Sequence, residues 1–274
     1  MHLGLIGFGN IARGIVDGLC GACAPEVERL TLLISEGQTA AIDAAFPEAA
    51  RRQFADISIV ERCDALLAAG PDLIVECAGQ NAVRDSVPAV LRAGVDVIVV
   101  SIGALADPVL YEELRAAATD GGARLILPAG AVGGIDILKA LQIGGDVTVR
   151  YRGTKPPAAW AGTPAAAQCD LAALSAPTTV FSGDARAAAT QFPKNANVAA
   201  TLALAGAGFT ATSVELVADP SAPGNLHEFT IESELATVSV QIANRPSSGN
   251  AKTSQTTIYS VLRAIEHQAG IIVI

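Results

Sequence analysis

The stretch Leu3-Gly4-Leu5-Ile6-Gly7-Phe8-Gly9-Asn10-Ile11-Ala12 decides the fold. Residues 3–6 form a continuous apolar run that reads as a buried strand. Residues 11–19 carry the spacing of an amphipathic helix. Between them stands G-x-G-x-x-A, from Gly7 to Ala12. Alone it reads equally as an ordinary strand-to-helix turn. Placed after a strand and opening a helix, it is the dinucleotide fingerprint. Gly7 permits the tight turn, Gly9 lets a pyrophosphate approach the backbone, and Ala12 keeps helix and strand close. Asn10 and Ile11 then sit at a helix N-terminus, whose free N–H groups and positive dipole end favour phosphate.

Working outward, apolar runs recur at 30–35 (LTLLIS), 72–76 (DLIVE), 95–101 (VDVIVVS) and 124–127 (RLIL), separated by helix-like segments at 37–46, 81–93 and 108–118. Strands this uniformly apolar are buried on both faces, as in a parallel sheet covered by helices. After about residue 133 the pattern changes. Residues 147–152 (VTVRYR), 213–218, 228–233 and 237–242 read as strands. Phe229, Ile231, Val238, Val240 and Ile242 alternate with polar residues, so this sheet has one face solvated or lining a cavity. Pro and Gly mark loops at 153–164, 219–225 and 244–250, and residues 254–270 have helical spacing. The expected fold is α/β: a Rossmann doubly wound parallel sheet over 1–133, then a second α/β domain with a mixed or antiparallel sheet over 134–250. The helix within 251–274 is expected to pack back on the first domain.

The fingerprint predicts an acidic residue about 20 positions on to bind the adenosine ribose. Glu36, just past LTLLIS, fits and favours NAD. Ser35 beside it, with Arg51 or Arg52, also suits a 2′-phosphate, so NADP stays open. Ligands of such folds bind beyond the carboxyl ends of the strands. Cys77-Ala78-Gly79 and Ser101 with Gly103 follow two of those ends and are further cofactor candidates; small residues suit a structural turn equally well.

The 274 residues suit two domains, and 51% hydrophobic with only 16% charged residues suits a large core. Aromatics are scarce at 4%, so aliphatic residues must do the packing. A net charge of −9 without a basic run argues against nucleic acid and anionic membrane as partners. No stretch reaches the roughly 18 to 20 apolar residues of a membrane span, and no signal peptide is legible, so a cytoplasmic location is expected. The five cysteines do not form a disulfide framework. Cys20 and Cys23 make a lone C-x-x-C with no second pair, so no metal site is expected.

Five further blocks carry a resemblance: PAGAVGGID (128–136), YRGTKPP (151–157), FPKNANVAA (192–200), NLHE (225–228) and NRPSSGNAKTS (244–254). With the fingerprint they resemble the L-aspartate dehydrogenase family over nearly the whole chain and in order. The resemblance implies an architecture similar to dihydrodipicolinate reductase and homoserine dehydrogenase. It also implies interconversion of L-aspartate with iminosuccinate, or oxaloacetate and ammonia, using NAD or NADP. Some members of the family supply iminosuccinate to NAD biosynthesis. The family's active-site histidine corresponds to His227, and its NAD contacts correspond to Ala131 and Asn197. A related reductase or dehydrogenase of the same architecture, or a dinucleotide-binding regulator without turnover, stays open at this point. A homodimer is expected, because symmetric dimers are the commonest oligomers.

Oxidation at an amino-acid Cα needs proton handling near neutral pH, for which histidine is suited. Of three histidines, His2 opens the first strand and is expected to be exposed. His267 lies in the last helix, whereas His227 stands where a loop enters a strand. A dicarboxylate needs cations and donors. Thr154 and Lys155 in the proline-stiffened loop, Lys194 with Asn195, and Asn244 with Ser247, Lys252, Thr253 and Ser254 are the candidates. Solvated loop residues would look the same, and Asn195 or Asn197 also reads as a helix cap.

Overall fold

The computed structural model describes residues 1–21, 24–193, 195–247 and 250–270, and of residues 49, 246–247, 250–253 and 269 the backbone only. Cys23 and Lys194, and the side chains of Ser247, Lys252 and Thr253, therefore lie outside the described part. The chain forms two compact units. The first comprises Met1–Ala104, Pro108–Pro128 and the chain from Ile258 onward; the second comprises Leu105–Asp107 and Ala129–Thr257.

The first unit runs β1 (His2–Ile6), α1 (Asn10–Leu19), β2 (Arg29–Leu33), α2 (Thr39–Ala45), α3 (Glu48–Gln53) and β3 (Asp56–Val60). It continues with α4 (Cys63–Ala68), β4 (Leu73–Glu76), α5 (Gln80–Arg92), β5 (Asp96–Val99), α6 (Pro108–Gly121) and β6 (Leu125–Ile126). The six strands are all parallel, in the order β3-β2-β1-β4-β5-β6. That is the doubly wound order, whose ligand crevice opens where the strand order reverses beside β1. One face of the sheet (Leu3, Leu5, Leu30, Leu32, Leu73, Val75, Ile98) packs against Ala12, Ile15, Val16 and Leu19 of α1. The i, i+3, i+4, i+7 spacing of those four puts them on one stripe of the helix. Ile258, Val261, Leu262 and Ile265 of the last helix join the same core. Gly14 and Gly18 of α1 make room for it: a Cβ there would come within 2.4 Å of Ile258 or Leu262.

One expectation is corrected in this unit, and one strand is new. The half-buried strand β3 was not legible as one. His2 is buried rather than exposed, with ring nitrogens 2.8 Å from the Thr31 hydroxyl and 3.1 Å from the Gly70 carbonyl. The reason is topological: β1 is central and paired on both sides, so even its first residue is covered.

The second unit contains α7 (Ile135–Gly144), β7 (Thr148–Lys155), α8 (Ala165–Gln168), β8 (Thr178–Asp184), α9 (Ala185–Gln191) and α10 (Asn197–Ala205). There follow β9 (Ser213–Ala218), β10 (Asn225–Glu232), β11 (Thr237–Asn244) and a short hairpin of β12 (Pro246–Ser247) and β13 (Asn250–Ser254); α11 (Gln255–Ala269) comes next and belongs to the first unit from Ile258 onward. The main sheet is mixed, in the order β11-β10-β7-β9-β8, with only β7 and β9 parallel. Val149 and Tyr151 of β7, His227, Phe229 and Ile231 of β10 and Val214 and Leu216 of β9 are buried. The intervening Arg150, Arg152, Glu228, Thr230 and Glu232 are not, and Arg150–Glu232 (2.6 Å) and Arg152–Glu215 (3.5 Å) pair among themselves. This is the period of two expected of a one-faced sheet.

The boundaries also move. Thr154 and Lys155, expected in a loop, end β7, because Gly153 and Thr154 are held between β10 and β9. Asn225 likewise belongs to β10, and part of 244–250 forms the small hairpin rather than a free loop. No described helix is long and apolar enough to cross a membrane.

Candidate active site

In the first unit the fingerprint takes the expected place between β1 and α1. Gly7 has φ +92°, a conformation only glycine adopts without strain. A Cβ on it would meet the Ala78 Cβ at 2.7 Å, so the turns after β1 and β4 touch. Ala12 is fully buried. Gly9 is exposed, caps nothing with a side chain, and has no atom within 4 Å of where a Cβ would stand. Asn10 and Ile11 open the ten-residue helix α1 there.

Cys77, Ala78 and Gly79 follow β4, and Ser101 and Gly103 follow β5, so the parallel register gathers them at the same end as the fingerprint. Cys77 turns its thiol back toward the Ile6 carbonyl at 3.5 Å, and burial raises its pKa, so what it offers outward is backbone. The organising residue of this end is Glu76, the head of the Glu76-Cys77-Ala78-Gly79 turn read from the sequence as a cofactor contact. Its buried Oε1 accepts the N–H groups of Ala78 (2.9 Å) and Gly79 (2.8 Å) and the hydroxyl of Ser101 (3.0 Å). Oε2 accepts the Ser101 N–H at 3.1 Å. Burial pushes the carboxyl above its ordinary pKa, and the four hydrogen bonds work the other way. The carboxylate thus ties two candidate cofactor turns into one piece.

Glu36 is exposed, three residues past β2. Of the two arginines that left a 2′-phosphate open, Arg51 is engaged: it bonds Asp43 at 2.7 Å and lies over the Phe46 ring. The uncovered Gly9, the α1 terminus behind it without a side-chain cap, and the small residues at three adjacent strand ends all fit a dinucleotide pyrophosphate.

The second unit gathers a separate polar cluster on the buried face of its sheet. His227 on β10 faces Gly153 on β7 in the antiparallel register. Tyr151 and Lys155 flank Gly153 two residues either way, so alternation puts all three on the face that His227 occupies. The Tyr151 hydroxyl is 2.8 Å from His227 Nδ1. His227 Nε2, although buried, has no partner among the described residues, and neither has Asn225 Oδ1. Burial first, and then the Lys155 ammonium, hold the imidazole down to about 3. Lys155 is itself buried; its Nζ donates to Asn195 Oδ1 at 3.2 Å and lies 5.7 Å from the centre of the Trp160 ring.

The other candidates divide. Asn195, a candidate apart from Lys155 in the sequence, joins it in the structure. Asn244 does not offer a free amide: it donates to the Ala131 carbonyl at 2.7 Å and accepts from the Thr256 hydroxyl at 2.8 Å. Thr154 alternates to the opposite face of β7 from Lys155. Asn197 is the first residue of α10, whose N-cap position is Ala196, so neither Asn195 nor Asn197 is its cap. His267 lies in α11 of the first unit, far along the chain from this cluster. Among the described residues no group of His, Cys, Asp and Glu could hold a metal.

Tyr151, Asn225 and Trp160 are the members of the cluster that sequence reasoning missed. The signal for Tyr151 was present in Tyr151-Arg152-Gly153-Thr154-Lys155, where a period of two aligns the phenol with the lysine.

Comparison with known proteins agrees with both halves of this description. Residues 7–128 match the family described as homoserine dehydrogenase, NAD binding domain, and residues 136–268 match aspartate dehydrogenase, C-terminal. The L-aspartate dehydrogenase of Ralstonia nicotianae is 43% identical over 270 residues, 98% of each chain. That of Pseudomonas aeruginosa is 45% identical over 221 residues, 80% of this chain and 83% of its own. The crystal structure of aspartate dehydrogenase from Thermotoga maritima aligns with a TM-score of 0.73 at 27% identity, covering 100% of this chain and 99% of that one. With the fold, the fingerprint and the His227 cluster all in place across that full length, the chain belongs to the L-aspartate dehydrogenase family.

Proposed function

We propose that this chain oxidises L-aspartate at Cα with NAD(P), giving iminosuccinate and, after hydrolysis, oxaloacetate and ammonia, and that it runs the reverse amination. The observation that carries the reading is the buried cluster of Lys155 and His227, with Nε2 of the imidazole unpartnered, in a chain of this family. Overall, L-aspartate, NAD(P)⁺ and water become oxaloacetate, ammonium, NAD(P)H and a proton. The dinucleotide supplies the acceptor for the Cα hydride when bound. Gly7, Gly9, Asn10, Ile11 and Ala12 would hold its pyrophosphate, Glu36 its ribose, and Cys77 to Gly79, Ser101, Gly103, Ala131 and Asn197 the remainder.

His227 exchanges protons at Nε2, with the substrate amine as the imine forms and with the water that hydrolyses it. In the free chain burial and Lys155 keep the ring neutral. A dicarboxylate brought beside it carries the opposite charge and favours the protonated ring. Lys155, backed by Asn195, meets a substrate carboxylate. A Lys155→Met variant is expected to raise KM for L-aspartate about 10- to 100-fold, the worth of one charge-assisted hydrogen bond. Steady-state kinetics with saturating cofactor would show it. The same change removes a cation that depresses the His227 pKa, so the acid limb of the rate profile should move to higher pH.

NAD is preferred over NADP on this reading, because Glu36 is open to the ribose hydroxyls while Arg51 is committed to Asp43. The reaction runs in the cytoplasm, in keeping with the free thiols of Cys20, Cys63, Cys77 and Cys169. The chain works as a homodimer, so light scattering should return twice the 27.8 kDa chain mass. The direct test of the chemistry is NADH consumption with oxaloacetate. The reading requires that it depend on added ammonium; consumption with oxaloacetate alone would mark a hydroxy-acid dehydrogenase instead.

A further inference from the structure

We propose that Tyr151 is the positioning residue for His227, and that Gly153 is the gap through which it reaches the imidazole. The inference rests on the reading of His227 as the proton-exchanging group. Tyr151 and His227 come from different strands, with Gly153 directly opposite His227 in the register. The two rings lie nearly parallel at 18°, centroids 6.0 Å apart, and the phenol oxygen ends 2.8 Å from Nδ1. To get there it crosses over Gly153. A Cβ on that residue would stand 2.4 Å from the hydroxyl and 3.0 Å from Cζ, so any side chain would evict the phenol.

Consequences follow from the chemistry of this partner. With Nδ1 engaged, Nε2 is the one ring nitrogen left to meet a reacting group. When Nε2 carries a proton in the cation, Nδ1–H donates to the phenol oxygen. When Nε2 has given that proton up, the same Nδ1–H bond remains, so acid and conjugate base share one ring orientation. A carboxylate in this place would do the same while adding a charge that favours the cation. The buried phenol adds none, because desolvation raises its pKa and keeps it neutral. The ring is therefore fixed without being tied to the charged state, which suits a group that must take up and release a proton in one cycle.

The test is a double-mutant cycle on the intact enzyme. Tyr151→Phe is expected to lower kcat roughly 100-fold, the scale of a misplaced reacting group, with KM for NAD and the melting temperature at wild-type values. In a His227→Ala background the same change should cost nothing further, because the group it positions is gone. Gly153→Ala should reproduce the Tyr151→Phe loss. Unchanged kcat in Tyr151→Phe, or an equal further loss in the His227→Ala background, overturns the proposal. If His227→Ala itself keeps full activity, the assignment of His227 fails instead. Should both Tyr151→Phe and Gly153→Ala fail to bind NADH, the imidazole ¹⁵N spectrum of the wild type decides, since only three histidines contribute. A hydrogen-bonded Nδ1 in His227 supports the proposal, and a ring with both nitrogens free of a protein partner overturns it.

Discussion

His227→Ala should lower kcat about 100- to 10,000-fold, the usual contribution of a positioned acid/base, while NADH binds as in the wild type. The separation follows from where the residues stand. His227 lies in the sheet of the second unit, whereas the fingerprint and the Glu76-tied turns belong to the first. Removing the imidazole deletes a buried ring nitrogen that has no protein partner among the described residues and leaves Lys155 and Asn195 in place. Binding of L-aspartate should therefore weaken less than turnover. Stopped-flow and steady-state kinetics over a range of pH, with NADH titrated by fluorescence, would measure both. Near-normal turnover would remove His227 from the chemistry. An equally large loss of NADH affinity would mean that the residue serves binding.

Gly9→Val should weaken NADH binding about 100-fold or more and leave the melting temperature unchanged, whereas Gly7→Ala should lower the melting temperature. Gly9 has φ −83° and ψ −162°, which a β-branched residue adopts readily, and no protein atom lies within 4 Å of its Cβ position. The valine side chain would project into the space in front of α1 where a pyrophosphate must sit. Losing two charge-assisted bonds to that group, at roughly 1.5 to 3 kcal/mol each, gives the factor of 100 or more. Gly7 is different. Its φ of +92° and the Ala78 atoms at 2.7 and 2.9 Å put the cost into the turn itself, about 1 to 3 kcal/mol of strain. A thermal melt beside an NADH titration separates the two variants. Unchanged NADH affinity in Gly9→Val would dissociate the fingerprint from the cofactor.

The strand-helix alternation of the first half was legible because buried parallel strands are apolar throughout, and Leu3 to Ile6 or Leu73 to Glu76 resemble little else. Edge strand β3 escaped, because Asp56 to Val60 is only half covered and mixes Ser58 with apolar residues. In the second unit alternation revealed four strands of the sheet, misplaced the ends of three and missed β8. Gly153 and the prolines after Lys155 look like a loop, yet β7 continues because both its neighbours supply hydrogen bonds. His227 and Lys155 were visible as residue types suited to the chemistry. Asn195 was visible too, though not as a partner of Lys155, and Tyr151 and Asn225 were not, since these contacts arise only through strand register and the turn before α10. The role of Glu76 was hidden for a related reason. A carboxylate at a strand end reads as solvated until the fold shows it buried and accepting from Ala78, Gly79 and Ser101.

The central claim is that this site oxidises L-aspartate. The most direct measurement is NADH and NADPH formation at alkaline pH from L-aspartate, L-glutamate, L-alanine, L-homoserine and L-malate. Reduction of the cofactor with L-aspartate alone, faster with NAD than with NADP, is the predicted result. No reduction with L-aspartate in protein that still binds NADH, or a better rate with one of the other four, would contradict it.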